Sequence, residues 1–381
     1  MYKRAQSIPL RHSASALGNN LAVLRPPDPK PPCSLSVVHG RGVSLLGLAS
    51  ESEAGRNVHS QRLLHCKEGG ATARRAEPLQ GGRGHCKEGG ATARRAEPLQ
   101  GGRGHCKEGG ATADSTLIIQ ARWCVLVSRV LLVVTSRRGI QMYEEDGSAM
   151  LYWQALELPE ALDTKVEFAR GIAAVAGLYI CVGVSSGCVL VYNIPPRGTN
   201  ITLCNELYQH AHAISSISSE TFGDLERTVD MVSADDGGVI CTWKSGEDFT
   251  LIQKLPPYGC ACTSVVMWRG IVTAAYGTGQ IRVYDGTTGM LHADIDAHAR
   301  WINSLDVAPA TGWVLSGSED SFVRIWKIGE MDQVDGIEVA HLHSECVKDV
   351  LVCGAQFCDT RGDSFAVTGY DLCEILCYVK T

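Results

Sequence analysis

The chain has 381 residues, of which 45% are apolar and 20% charged, and a formal net charge of −6. This is the composition of an ordinary soluble globular protein, and no apolar run is long enough to form a transmembrane helix. The opening MYKRAQSIPLRHSASALGNN lacks the apolar core of a signal peptide, so a cytoplasmic location is expected and the 16 cysteines are read as free thiols.

Taken in order, residues 4–10 (RAQSIPL) give a short strand-like piece. Asn20 to Leu24, Ser34 to His39 and Gly42 to Leu48 follow as three apolar runs, with a Pro-rich loop from Pro26 to Pro32 between the first two. Val58 to Leu64 supplies a fourth strand. Then HCKEGGATARRAEPLQGGRG fills 65–84 and recurs letter for letter at 85–104, and a third start, HCKEGGATA, spans 105–113. Folded repeats do not require identical surfaces, so this identity points to a recent in-frame duplication or a gene-model error. The unit has almost no large apolar side chain and cannot bury a core, which predicts a disordered loop. Its two full copies carry eight basic residues against four Glu. The competing reading is a basic arm for nucleic acid or a membrane surface, although no aromatics are interleaved for base stacking.

From Leu117 the apolar runs return, and an aromatic residue closes one run in each unit. It stands at Tyr143, Tyr192, Trp243, Tyr284, Trp326 and Tyr378, in steps of 49, 51, 41, 42 and 52 residues. Each closes a run such as GIQMY, CVLVY, VICTW or FVRIW, and Gly, Asp and Ser separate these runs from the preceding ones. Period-two alternation cut by such turn signals reads as short antiparallel strands, repeated in units of four.

The fullest unit runs from His298 to Lys327, HARWINSLDVAPATGWVLSGSEDSFVRIWK. It resembles one WD repeat of a β-propeller, whose blades take about 40–45 residues. The resemblance implies a structural tetrad of His298, Ser316, Asp320 and Trp326, a buried hydrogen-bonded chain rather than a catalytic Ser-His-Asp triad. A second unit offers a partial tetrad of His210, Ser233 and Trp243, with Gly237 where the Asp belongs and Asp236 one place early. In the last unit His343 and Thr368 fit, while Leu372 and Tyr378 break the pattern. Most blades are therefore expected to be held by apolar packing between sheets.

The expected fold is all-β, a single seven-bladed WD-repeat-type β-propeller with a disordered tandem-repeat insertion. The last blade ends without a fourth strand of its own, and an open edge is an aggregation hazard, so the N-terminal strand near Ser7 to Leu10 is expected to close the ring. Residues 1–64 would hold the closing strand and first blade, 65–113 the low-complexity loop, and 114–381 the other six blades. Longer segments narrow the resemblance. SIPLR (7–11), LLVVTSRRGIQMYE (131–144), FARGIAA (168–174), DAHAR (296–300), CGAQFCD (353–359) and DSFAVTGYDLCEI (363–375) are similar to members of the WD repeat-containing protein 54 family. That family resemblance implies one copy of the repeated segment, at 105–113, and no catalytic residues.

The function expected is therefore a non-enzymatic protein–protein interaction scaffold, with protein partners and no cofactor or metal. His341, His343 and Cys346, with Cys353 and Cys358 beyond, lack the paired spacing of a zinc site. A substrate receptor of a ubiquitin ligase is the third reading. Its Trp-Asp-x-Arg signal is absent, because Lys327 follows Trp326 and Lys244 follows Trp243. Candidate partner-binding residues are Arg300 and Trp301 beside the tetrad His, Tyr276 and Tyr370 in turns between the second and third strands, and Arg137 with Arg138 in the second blade. Trp and Arg lead binding hot spots. The competing reading has Trp301 folded onto a neighbouring loop and Tyr276 packed in its turn.

Overall fold

The computed structural model describes residues 1–25, 33–48, 58–65, 117–156, 167–220, 228–330 and 337–381. Apart from His65, the tandem-repeat segment 65–113 lies outside the described residues. Every regular element among the described residues is a strand.

Two short strands, β1 (Tyr2–Arg4) and β2 (Ile8–Pro9), precede the first blade. That blade pairs β3 (Leu21–Leu24), β4 (Ser34–His39), β5 (Gly42–Leu48) and β6 (Val58–His65) in sequence order. The second holds β7 (Ile118–Val125), β8 (Val130–Ser136), β9 (Gly139–Glu144) and β10 (Met150–Ala155). The third holds β11 (Ala169–Val175), β12 (Tyr179–Val184), β13 (Cys188–Asn193) and β14 (Thr202–Tyr208). The fourth holds β15 (Ile214–Ser219), β16 (Met231–Asp235), β17 (Ile240–Lys244) and β18 (Thr250–Leu255). The fifth holds β19 (Cys262–Trp268), β20 (Ile271–Tyr276), β21 (Gln280–Asp285) and β22 (Leu291–Asp296). The sixth holds β23 (Ile302–Ala308), β24 (Trp313–Ser318), β25 (Phe322–Glu330) and β26 (Ile337–Cys346). The seventh holds β27 (Val352–Phe357), β28 (Ser364–Gly369) and β29 (Glu374–Lys380). The first strands of all blades pack against one another in a ring and wall a central channel.

This arrangement explains the sequence pattern. The second and third strands of a blade, such as β12 and β13, are covered on both faces by neighbouring sheets, so they are buried almost throughout and read as continuous apolar runs. Outer strands such as β22 and β26 are half-exposed and alternate. Among the described residues, seven apolar clusters form the core, each between one pair of neighbouring sheets. One aromatic of the repeat, Tyr192, for example, sits at a register shift between its own strand and the outer one. Tyr143, Trp243, Tyr284 and Trp326 stand at equivalent shifts. A bulge there turns the strand and lets a bulky side chain face the next blade.

Closure of the ring differs in position from the sequence expectation. β1 is the main fourth strand of the last sheet, with Tyr2 opposite Lys380 and Arg4 opposite Tyr378. The stretch Ser7 to Leu10 contributes only β2, where Ile8 and Pro9 pair with Ile375 and Glu374. Tyr2 explains the shift: its ring packs on Phe365 and its hydroxyl donates to the Gly362 carbonyl, so the buried anchor lies at the start of the chain. In the sixth blade, the fourth strand β26 runs on to Cys346.

Polar side chains clasp neighbouring blades as well. Gln120 of β7 accepts from the Gly171 amide (3.0 Å), and Arg122 donates to the Ile172 carbonyl (3.1 Å). Ser304 of β23 both donates to and accepts from Ala355 of β27, at 3.0 and 3.1 Å. Asp306 accepts from the Phe357 amide (2.8 Å) and pairs with Arg25, which also reaches the Val307 and Phe357 carbonyls. Gln356 closes the circle by accepting from the Val23 amide (2.9 Å). Apolar packing between sheets is thus supplemented by a ring of hydrogen bonds along the channel wall.

Candidate functional site

One end of the channel is framed by the loops that enter each blade and the turns joining second to third strands. The sixth blade shows how these loops are held. Trp326 on β25 donates through Nε1 to Ser316 Oγ on β24 (3.0 Å), and the Ser316 hydroxyl meets His298 Nε2 (2.8 Å). His298 Nδ1 faces both oxygens of Asp320, at 3.0 and 3.1 Å. These partners fix the tautomer, with Nδ1–H donating and Nε2 accepting from the serine. Burial lowers the His298 pKa against the pull of Asp320, so the imidazole is neutral. Burial raises Asp320, but bonds from His298 and from the Ala299 and Phe322 amides outweigh it and hold the carboxyl down to about 2. The buried neutral imidazole, locked between a serine hydroxyl and a carboxylate, ties the loop entering the blade to the turn of the same blade.

The fourth blade carries the same chain with a member the sequence reading placed wrongly. His210 Nε2 meets Ser233 Oγ (2.8 Å), and Trp243 Nε1 donates to Ser233 (2.9 Å). The acid is Asp235, with Oδ2 at 3.1 Å from His210 Nδ1, in place of Gly237 or Asp236. Asp235 is the last residue of β16, and its other oxygen accepts from the Gly237 and Val239 amides at 3.0 and 2.9 Å. It therefore folds back under its own turn, which frees Asp236 to pair with Arg170 across the blade boundary (2.7 Å).

The last blade does not use His343. That residue lies on β26 of the sixth blade opposite Ile325, against the Tyr2 ring (5.0 Å), because β26 extends as far as Cys346. Thr368 donates instead to Asn20 Oδ1 (2.6 Å), and Asn20 Nδ2 donates to the Ser15 carbonyl (2.7 Å). In the first blade His39, missed by pattern matching, bridges the Ser13 carbonyl (2.8 Å) and Ser44 (2.7 Å). Both contacts involve the segment crossing from the last blade to the first, so no fixed spacing announces them.

The proposed partner-binding residues divide. Tyr276 is 1% exposed at the end of β20, packed on Tyr258 and with its hydroxyl 3.2 Å from that of Tyr284. It aligns with the inward-facing end of its strand rather than with the turn, and it is not available to a partner. Trp301 is 42% exposed. Its indole lies over Gly277 of the fifth-blade turn, where an added Cβ would come within 2.6 Å of the ring. It both packs on a neighbouring loop and presents an edge to solvent. Arg300 is exposed, Tyr370 is 57% exposed, and Arg137 and Arg138 are half-buried. Leu351, unremarked in the sequence, is 42% exposed beside Tyr370, whose amide donates to its carbonyl (2.9 Å).

Two of the cavities lined by the described residues open on the channel. One, of about 270 Å³, lies at the mouth just described, with Trp301, Arg137, Phe168 and Arg170 on its wall. The other, of about 300 Å³, lies toward the opposite end and is lined by Arg25, Arg122 and Arg269 together with Asp306 and Glu220. Much of its polar wall consists of the inter-blade clasps. Among the described residues no three His, Cys, Asp or Glu side chains gather as a metal site would require, and no helix is long and apolar enough to cross a membrane.

The family model WDR54 matches residues 1–80 and 82–380 of the chain. The chain belongs to the WDR54 family. WD repeat-containing protein 54 of Mus musculus is 46% identical over 376 residues, covering 99% of this chain and 98% of that protein. WD repeat domain 54 of Rattus norvegicus is also 46% identical over 376 residues, and the Homo sapiens protein is 45% identical over 375. Among solved structures, a chain of the Mitotic Checkpoint Complex matches with a TM-score of 0.63 at 13% identity, covering 99% of this chain and 93% of that one. That match speaks for the WD-type propeller fold alone. For this WDR54-family chain, the fold and the relatives together support a protein-interaction scaffold in general terms.

Proposed function

We propose that the chain is a non-enzymatic scaffold that docks protein partners on the channel face carrying Arg300, Trp301 and Tyr370. The observation that carries this reading is the exposure of large apolar groups on that face. Trp301, Leu351 and Tyr370 are all more than 40% exposed, on loops anchored by the buried chain at His298 and by the turns around Gly369. Rigidly held, exposed aromatic residues give contact area at low entropic cost, which is how binding hot spots are built. The two His–Asp pairs on this face are buried beneath the loops and each is satisfied within its own blade, an arrangement suited to fixing loops rather than to attacking a substrate. We also place the chain in the cytoplasm.

The test is affinity capture from cells with the full chain, followed by binding measurements on the main partner. Arg300→Ala and Trp301→Ala should each weaken that partner by about 2 kcal/mol or more, while stability barely moves. Full affinity in the double variant, or a partner footprint on the opposite face, would overturn the reading.

A further inference from the structure

Every charged group on the wall of the mouth cavity already has a partner. Arg170 donates to the Ile214 carbonyl (3.0 Å) and pairs with Asp236 (2.7 Å). Arg137 is engaged as well, and so is Glu167 beside Phe168. The remaining wall is largely apolar, with Leu117, Ile119, Phe168 and Trp301. Leu17, Gly18 and Asn19, from the segment crossing from the last blade to the first, also line it. Asn19 borders the cavity toward the opposite end too, so this segment stands between the two. The Asn19 amide donates to the Cys353 carbonyl (2.8 Å). Gly18 lies so close to β23 that an added Cβ would come within 2.9 Å of the Asn303 carbonyl oxygen. Two buried polar groups on the wall lack partners. The hydroxyl of Ser215, a residue 5% exposed, makes no hydrogen bond among the described residues. Asn303, 9% exposed, donates through Nδ2 to the Val352 carbonyl (2.9 Å), and its Oδ1 accepts nothing among the described residues.

From this we infer that the mouth cavity binds one uncharged aromatic ring that carries a hydrogen-bond donor, a phenol or an indole. Such a ring belongs to a tyrosine or tryptophan side chain or to a free small molecule. The cavity measures about 270 Å³, and ligand pockets run from roughly 300 Å³ upward, so there is room for a single ring system. Phe168 and Trp301 offer aromatic surface, which attracts a further ring beyond the area it buries. Asn303 Oδ1 and the Ser215 hydroxyl are the groups the donor can meet. A buried polar group left unpaired costs free energy, so an occupant that supplies the missing partner is favoured over one that does not. A carboxylate or phosphate would find no unpaired cation on this wall and would lose its hydration. This site lies inside the channel and does not rest on the scaffold reading, which concerns the exposed loops around it.

The test is an NMR titration of the purified full chain with its Leu and Ile methyl groups labelled. Added p-cresol and methylindole should move the Leu117 and Ile119 signals. They should do so at concentrations roughly three-fold or more below those needed with toluene, the share of one hydrogen bond. Tolyl phosphate should leave both signals in place over the same range. Trp301→Ala, which takes away one wall, should weaken p-cresol roughly five-fold or more. The peptide acetyl-Gly-Tyr-Gly-amide separates the two sources. A tighter response than that of p-cresol assigns the ring to a polypeptide, and a weaker one assigns it to a free small molecule. Signals that stay still with both p-cresol and methylindole would overturn the inference even if the variant fails to fold. An equal response to toluene or to the phosphate would overturn it too, as would unchanged p-cresol binding in a folded Trp301→Ala protein. Loss of a cellular partner in Arg300→Ala bears on the scaffold alone, so either reading can fail without the other.

Discussion

Replacing Asp320 by Ala tests what the His298 chain does. The carboxylate accepts from His298 Nδ1 and from the Ala299 and Phe322 amides, all at about 3.0 Å. The two amides lie at a turn and can turn to water, but the imidazole side chain is fully buried and its Nδ1–H would be left unpaired. An orphaned buried donor costs about 1–3 kcal/mol. Titration offers an independent route to the same figure. The shift from 3.8 to about 2 corresponds to about 2 kcal/mol held by the folded state in the ionised carboxylate. Because the folded pKa is depressed, that contribution is fully present above the unfolded value and disappears as pH falls through about 2. His298 acts in the same direction: its pKa is lowered below 6.5 by burial, so protonation on acidification also favours unfolding. The variant should lose about 2–3 kcal/mol near neutral pH in urea denaturation, and its melting point should drop by roughly 5 °C. Between pH 4 and 2 its stability should fall less steeply than the parent's. Asp235→Ala should behave alike, since Asp235 makes the equivalent bonds beneath the fourth-blade turn. Unchanged neutral-pH stability, or an acid slope identical to the parent's, would refute the reasoning. So would a stable variant that lost a hydrolytic activity.

Two further expectations concern the chain's beginning and its repeated segment. Removing residues 1–9 takes away β1 and β2 and bares the edge of β29, so the shortened protein should aggregate in light scattering; a monomer melting like the parent would show that closure does not depend on them. Deleting 65–104, two identical copies poor in apolar residues, should shift the melting point by only a degree or two, because loop entropy changes slowly with length, and a drop above about 5 °C would contradict this.

The blades were legible because their signal is local. Alternating apolar runs and an aromatic closing the third strand of six blades follow directly from strands buried between neighbouring sheets, and Tyr143, Tyr192, Trp243, Tyr284, Trp326 and Tyr378 are all buried in the fold. The His298, Ser316, Asp320 and Trp326 set was also readable, since its members stand at familiar separations within one blade. The rest depended on geometry that one-dimensional spacing does not carry. Asp235 and Asp236 are adjacent in sequence, and only the turn of the chain decides which one goes under His210 and which one reaches Arg170. Tyr276 looks like a turn residue in the sequence, yet the last position of β20 points it inward at Tyr284. Thr368 finds Asn20 rather than His343 because closing the ring brings the two ends of the chain together. The channel clasps, such as Ser304 with Ala355 or Asp306 with Phe357, join first strands one blade apart. Sequence alone therefore determined what each strand must bury. Which polar groups meet was decided by the ring, because closing seven sheets around one axis sets side chains from distant parts of the chain within hydrogen-bond reach.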